Sequence, residues 1–157
     1  MLWLVRHAQV ELRLDEPAST WELSADGRAA AAELAGRVGP VERVVSRPEP
    51  KAKATAEPLA AVSGVPVELD RRLREVERAT NLPDAESHRA AVRAYLAGEP
   101  VHGWEAREAA AARFREAIAE IDDHAAVVTH GTVLALFLGY GFDEWAGIGL
   151  PEAIPWP

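Results

Sequence analysis

Leu2-Trp3-Leu4-Val5-Arg6-His7-Ala8 decides the fold, because an apolar run of strand length stops abruptly at an Arg-His pair. Strands of a parallel sheet are buried on both faces and read as continuous hydrophobic runs, while ligands gather where their carboxyl ends meet the following loops. Arg6 and His7 fall at such an end. The same grammar returns further on, where Ala125-Ala126-Val127-Val128-Thr129 meets His130-Gly131 and then the helical pattern of Thr132 to Leu138. Two strand-end histidines are therefore in play.

Working outward from the first of them, Gln9 to Glu22 is polar and without period, as expected of a loop over the strand ends, where function concentrates. Ser24 is placed to cap a helix running to about Val38, with Ala30, Leu34 and Val38 on one face and Gly39-Pro40 after it. Val41 to Ser46 reads as a second buried strand, Arg47-Pro48-Glu49-Pro50-Lys51 as its break, and the following residues to Ser63 as a helix closed by Gly64. Val65-Pro66-Val67-Glu68-Leu69 carries proline and suits a sheet edge. The charge-dense segment Asp70 to Pro83 reads as a solvated face. Helices are expected around Ser87 to Leu96 and Glu105 to Ile121, and Leu150 to Pro157 reads as a proline-rich tail. Strands alternating with helices imply an α/β fold with a mainly parallel sheet and helices on both faces.

At 157 residues, 1–157 is expected to form one domain. No cysteine is present, so disulfides, thiolate metal sites and a cysteine nucleophile are excluded. Arg6 and His7 interrupt the first apolar run too early for a signal peptide, no stretch approaches the roughly 20 apolar residues of a membrane span, and a cytoplasmic home is expected. The net charge of −8 argues against a general affinity for nucleic acid or anionic membrane, whereas a small anion remains accessible to a local positive pocket.

Arg6-His7 after the first strand, Ser46-Arg47-Pro48 with Lys51 and Thr55-Ala56 after the second, Leu73-Arg74-Glu75 in the middle, and Thr129-His130-Gly131 after the last together resemble the histidine phosphatase superfamily, the phosphoglycerate mutase-like family. The resemblance covers nearly the whole chain in order. It departs from the family pattern at Ala8, where glycine is usual, at Arg47, in place of a second serine, and at Lys51, where the second phosphate-binding arginine belongs. The contact of a family asparagine six residues past the first histidine is not carried over to Arg13.

The resemblance implies a metal-independent phosphatase without cofactor, acting on a small phosphorylated substrate or a phosphoprotein, with homo-oligomerisation left open. His7 would be the nucleophile, Glu75 the acid for the leaving oxygen, and His130, protonated, a further donor. Arg6, Lys51 and Ser46 would bind the phosphate. Hydrolysis is preferred to a mutase reaction because little chain lies between Glu75 and Trp104 to cover the site. Each residue has a plainer reading. Glu75 could pair with Arg72 or Arg78 at the surface, Ser46 could cap the next segment, Arg47 is expected as a surface charge and Trp21 as packing beneath its loop. His88, His102 and His124 are expected to be exposed. Two rivals remain for the whole: a phosphate-binding module of the same fold that has lost activity, supported by Lys51, and a metal triad of His7, His130 and Glu75, opposed by the adjacent Arg6.

Overall fold

The computed structural model describes residues 1–79 and 82–157; within the charged segment 70–83, residues 80 and 81 lie outside that description. Its centre is a five-stranded sheet of β1 (Leu2–Arg6), β2 (Arg43–Ser46), β3 (Val67–Leu69), β4 (Ala125–Thr129) and β5 (Glu152–Trp156), in the order β3-β2-β4-β1-β5. The first four are mutually parallel and β5 runs antiparallel to β1.

The apolar runs fill both faces by the two-residue alternation of a strand. Leu2, Leu4, Val45, Ala125 and Val127 face one core, while Val5, Val44, Ala126 and Val128 face the other, with Trp3 packed against it. Helices α1 (Ala25–Val38) and α2 (Pro50–Ser63) cover the second face. The first is covered by α3 (Ala85–Leu96), α4 (Arg107–Ala119), α5 (Gly131–Leu138) and α6 (Phe142–Gly147). The α/β expectation with helices on both faces is thus met. Among the described residues no helix is long and apolar enough to cross a membrane.

The expected punctuation is largely present. The Ser24 hydroxyl accepts from Gly27 N at 3.0 Å and starts α1, and Gly64 ends α2 in the left-handed conformation at φ 67°. Of the expected stripe on α1, Leu34 is buried and Val38 packs against the core, while Gly27, Ala31 and Ala35, not Ala30, complete the buried face. Gly27 sets this face, because a Cβ there would collide with the carbonyl oxygen of Gln9 and push the helix off the loop that follows β1.

Three readings need correction. The tail is β5, paired along β1, and its Pro155 is tolerated because an edge strand needs no inter-strand donor on its outer side. Trp156 docks on the body, 4.9 Å from the Phe137 ring. The segment from Asp70 is only in part a solvated face: a short 3-10 turn, Arg71–Leu73, buries Leu73 and turns Val76 inward, so that its charges divide between surface and interior. His88 is half-buried, its ring 6.3 Å from Trp104 and 6.1 Å from Trp145, whereas His102 and His124 are exposed as expected.

Candidate active site

Register brings the two histidines together. Arg6 of β1 lies opposite Thr129 of β4, so the next residue of each strand, His7 and His130, leaves the sheet at the same level. The amide of His7 donates to Thr129 O at 3.0 Å, continuing the ladder one step beyond the strand. The two rings meet edge to face with centroids 5.2 Å apart.

His7 Nδ1 lies 2.8 Å from the carbonyl oxygen of Ala8. An imidazole nitrogen facing a carbonyl must donate, which assigns the proton of the neutral ring to Nδ1 and leaves Nε2 with its lone pair. Burial pushes the His7 pKa down to about 4, against the Ala8 hydrogen bond that raises it and with the help of Lys51 and Arg6. The ring is neutral at pH 7. Thr55 on α2 fixes this turn, since its hydroxyl accepts from Ala8 N at 3.0 Å and donates to Lys51 O at 2.8 Å. Buried Ala8 stands where the family pattern has glycine.

His130 is 2% exposed and caps α5. Its pKa is held well below the ordinary range by burial first, then by His7, Lys51 and Arg47. This corrects the expectation of a protonated His130: among these cations the uncharged ring is favoured. Its Nε2, like Arg6 Nε and Arg47 Nε, is buried without a hydrogen-bond partner among the described residues.

Arg6 is oriented from two sides. Its Nη1 donates to Ile148 O at 2.6 Å, and its guanidinium lies flat against Gly131. A Cβ on residue 131 would stand 2.8 Å from Arg6 Nε and 2.9 Å from Cζ, so the glycine of the His130-Gly131 pair makes room for the arginine.

Glu75 is turned into the protein. Its oxygens accept from Thr132 N at 3.0 Å, from Val133 N at 2.7 Å and from Val76 N at 2.8 Å. The carboxylate therefore sits at the amino end of α5, where unpaired N–H groups and the helix dipole favour an anion. The surface pairing with Arg72 or Arg78 is not made; Arg72 pairs with Asp70 and Glu120 instead. Arg113 of α4 braces the loop by donating to the carbonyls of Arg72, Arg74 and Glu75 while forking onto Glu105. Among the described residues no group of three or more His, Asp or Glu side chains could hold a metal ion.

The residues after β2 behave differently from the pattern expected of them. Lys51 is 8% exposed, donates to Ala18 O at 2.9 Å and lies 3.6 Å from Glu49, with its pKa lowered by burial. It thereby ties the 3-10 turn Ala18–Thr20 over the site, and its ammonium lies 5.9 Å from the Trp21 ring. Trp21 is part-buried against its own loop, its indole N–H donating to Arg13 O and Glu16 O. Ser46 is fully buried and spends its hydroxyl proton on Arg47 O at 2.9 Å, so it is not free to donate to a phosphate in this arrangement. Arg47 is not the surface charge expected: it is part-buried, 3.5 Å from Glu49.

Glu49 is the residue that sequence reasoning missed. Its carboxylate lies 3.5 Å from Arg47 Nη2, 3.6 Å from Lys51 Nζ and 3.6 Å from His130 Nε2, inside the electropositive pocket. The signal that could have found it was a charged residue wedged between two prolines in the motif itself.

With this geometry in view, the comparisons are specific. The family model for the histidine phosphatase superfamily, branch 1, matches residues 2–150. Among solved structures, a mycobacterial glucosyl-3-phosphoglycerate phosphatase is 29% identical with a TM-score of 0.68, covering 94% of this chain and 84% of that one. A Thermus thermophilus protein is 26% identical with a TM-score of 0.68, covering 99% of this chain and 93% of that one. A phosphoglycerate mutase from Bacillus anthracis shares the fold at a TM-score of 0.69 and 19% identity, covering 87% of this chain and 77% of that one. No curated protein sequence matches the chain.

Proposed function

The chain belongs to the histidine phosphatase superfamily, and from that premise we propose that it is a phosphatase hydrolysing phosphomonoesters through a phosphohistidine on His7, without a metal. The observation that carries this reading is His7 itself, a neutral ring whose Nδ1 proton is committed to Ala8 O, which presents Nε2 as a nucleophile among buried donors with no protein acceptor.

The Nε2 lone pair attacks phosphorus as the bond to the leaving oxygen breaks. Arg6, with the cationic end of Lys51 beyond it, offsets charge on the phosphoryl oxygens, and His130 Nε2 faces the same space. Glu75 delivers a proton to the leaving oxygen. The proton sits on Oε2, which accepts from Thr132 N alone and retains a second lone-pair direction, whereas Oε1 is taken up by Val76 N and Val133 N. Water then attacks phosphorus, its proton passes to Glu75, and the P–N bond breaks to restore His7. The substrate is taken to be a small phosphorylated compound, the class for which the mycobacterial relative is named. We extend the reading to one domain over 1–157, the span that carries the site.

His7→Ala should lower turnover of phosphomonoesters by roughly 10⁴-fold or more while folding is retained. Rapid acid-free quenching with labelled substrate should trap a base-stable, acid-labile phosphate on the unsubstituted protein alone. Activity retained in His7→Ala would remove this residue as nucleophile. The second reading, a binding module with little turnover, is favoured by Glu49 and by the engagement of Lys51 with Ala18. Phosphate binding without turnover on any monoester would select it.

A further inference from the structure

Arg74 to Glu77, the stretch that carries Glu75, lie in neither helix nor strand, so their backbone groups need partners from elsewhere in the fold. Two side chains hold the four consecutive carbonyls from Arg72 to Glu75. Thr129 of β4 donates its hydroxyl to Leu73 O at 2.7 Å. Arg113 of α4 donates Nη1 to Arg72 O and Arg74 O, both at 2.8 Å, and Nη2 to Glu75 O at 3.0 Å. The remaining N–H groups of the guanidinium go to Glu105, Nε to Oε1 and Nη2 to Oε2, each at 2.8 Å. Every donor of Arg113 is thereby engaged within the protein, and none is left for a substrate.

Glu105 is fixed as completely. Its amide donates to Glu77 O at 2.8 Å, its carbonyl accepts from the buried Tyr95 hydroxyl at 2.9 Å, and its Oε2 also accepts from Glu77 N at 3.1 Å. The side chains of Arg113 and Glu105 are each 10% exposed. A buried ion pair adds little net stability, because desolvation of both charges offsets their attraction. What this pair supplies is geometry. A planar fork locked by a carboxylate holds three carbonyls in fixed directions, which the single point charge of a lysine cannot do.

We propose that Arg113, clamped by Glu105, is the positioning residue for the acid of the reaction, fixing the main chain at Glu75 so that its carboxyl meets the leaving oxygen. This rests on the phosphatase reading above, in which Glu75 delivers that proton. The carboxylate end of Glu75 is anchored separately, by Thr132 N and Val133 N at the start of α5. The acid is therefore located from its backbone by α4 and from its oxygens by α5. Loss of the backbone anchorage lets it shift, and a displacement of about 1 Å lowers a positioned step roughly a hundredfold.

The test compares two esters of similar shape that differ in their need for an acid. The para-nitrophenolate ion leaves readily without a proton, whereas the alkoxide of para-nitrobenzyl phosphate does not, so general-acid catalysis bears mainly on the second. The quantity compared is kcat/KM, which reports the steps through cleavage of the P–O bond. Arg113→Lys keeps the charge and removes the fork. It should lower kcat/KM roughly a hundredfold for the benzyl ester and less than about threefold for the phenyl ester. Glu75→Gln should show the same selectivity, and adding Arg113→Lys to it should lower the rate little further. Glu105→Gln leaves Arg113 in place and loosens its clamp; it should show the selectivity at roughly tenfold, and it decides the question if Arg113→Lys does not fold. Equal losses on both esters in the Arg113 and Glu105 variants would make the pair structural only, and no loss on either would mean that Glu75 is held without it; each result overturns the proposal. Selectivity in Glu75→Gln alone overturns the positioning role and leaves the phosphatase reading standing. Absence of turnover on both esters in the unsubstituted chain overturns the two together.

Discussion

At the ends of β1 and β4, Arg6 and His7 are held by backbone carbonyls of Ile148 and Ala8, and Glu75 by backbone amides. At the end of β2, Lys51 also donates to a carbonyl, that of Ala18, but Arg47 and Lys51 both lie against one carboxylate, Glu49, at 3.5 and 3.6 Å. The first arrangement fixes polar groups without consuming charge, because main-chain dipoles orient a side chain and leave its remaining donors for a ligand. The second neutralises part of its own charge, and an arriving anion must compete with a carboxylate already in place. Floor and wall of one pocket thus differ in preorganisation, and two departures from the family pattern lie on the wall: Arg47, which adds a charge, and Lys51, which keeps the charge but loses the guanidinium fork.

The contrast is broken most directly at the floor. Gly131→Ala places a methyl group against the Arg6 guanidinium. Displacing a positioning group by about 1 Å is expected to lower kcat/KM roughly a hundredfold, with the thermal midpoint changed much less. Steady-state kinetics beside a melting curve checks it, and an unchanged kcat/KM would mean that Arg6 is not held as described.

On the wall, Lys51 and Arg47 share Glu49. Lys51 is too buried, and too engaged with Ala18, to be exchanged freely for the bulkier guanidinium. Lys51→Arg and Arg47→Ala should therefore each lower turnover by about tenfold, and the double variant should lose less than the product of the two. A gain in Lys51→Arg with no loss in Arg47→Ala would instead mean a simple family site with a weakened contact.

Removing the competing charge should act in the opposite direction. Glu49→Gln keeps the shape and abolishes the anion, and inorganic phosphate should bind about fivefold more tightly, the worth of one partly screened ion pair. Inhibition by phosphate reads this directly. Weaker binding would show that Glu49 organises the cations more than it opposes the ligand.

The smallest effect is on stability. His7 in the fold titrates near 4, below the ordinary 6.5, and His130 is lowered as well, so between those pH values the unfolded chain binds more protons. Stability contributed by these neutral rings is present above pH 6.5 and is lost as pH falls toward 4. His7→Asn should flatten that slope in melting midpoints taken across the range.

The continuous runs at Leu2–Val5 and Ala125–Thr129 were legible because a strand buried on both faces leaves its mark in consecutive residues, and the caps at Ser24 and Gly64 because they act on their own helices. Those signals located the strand ends, and with them His7, His130 and Arg6. The family resemblance added Glu75 and Lys51, but not what they touch. The tail hid its strand because an edge position tolerates proline and lacks a continuous run.

The sequence by itself determined the backbone pattern and the strand ends at which chemistry gathers, since both are written in neighbouring residues. Only the tertiary structure decided which charges are free. Arg6 meets a carbonyl 142 residues away, Glu75 meets amides 57 and 58 residues away, and Glu49 joins the ends of β2 and β4. The state of a buried polar group depends on its desolvation and on its nearest partners in space, and no local pattern carries either.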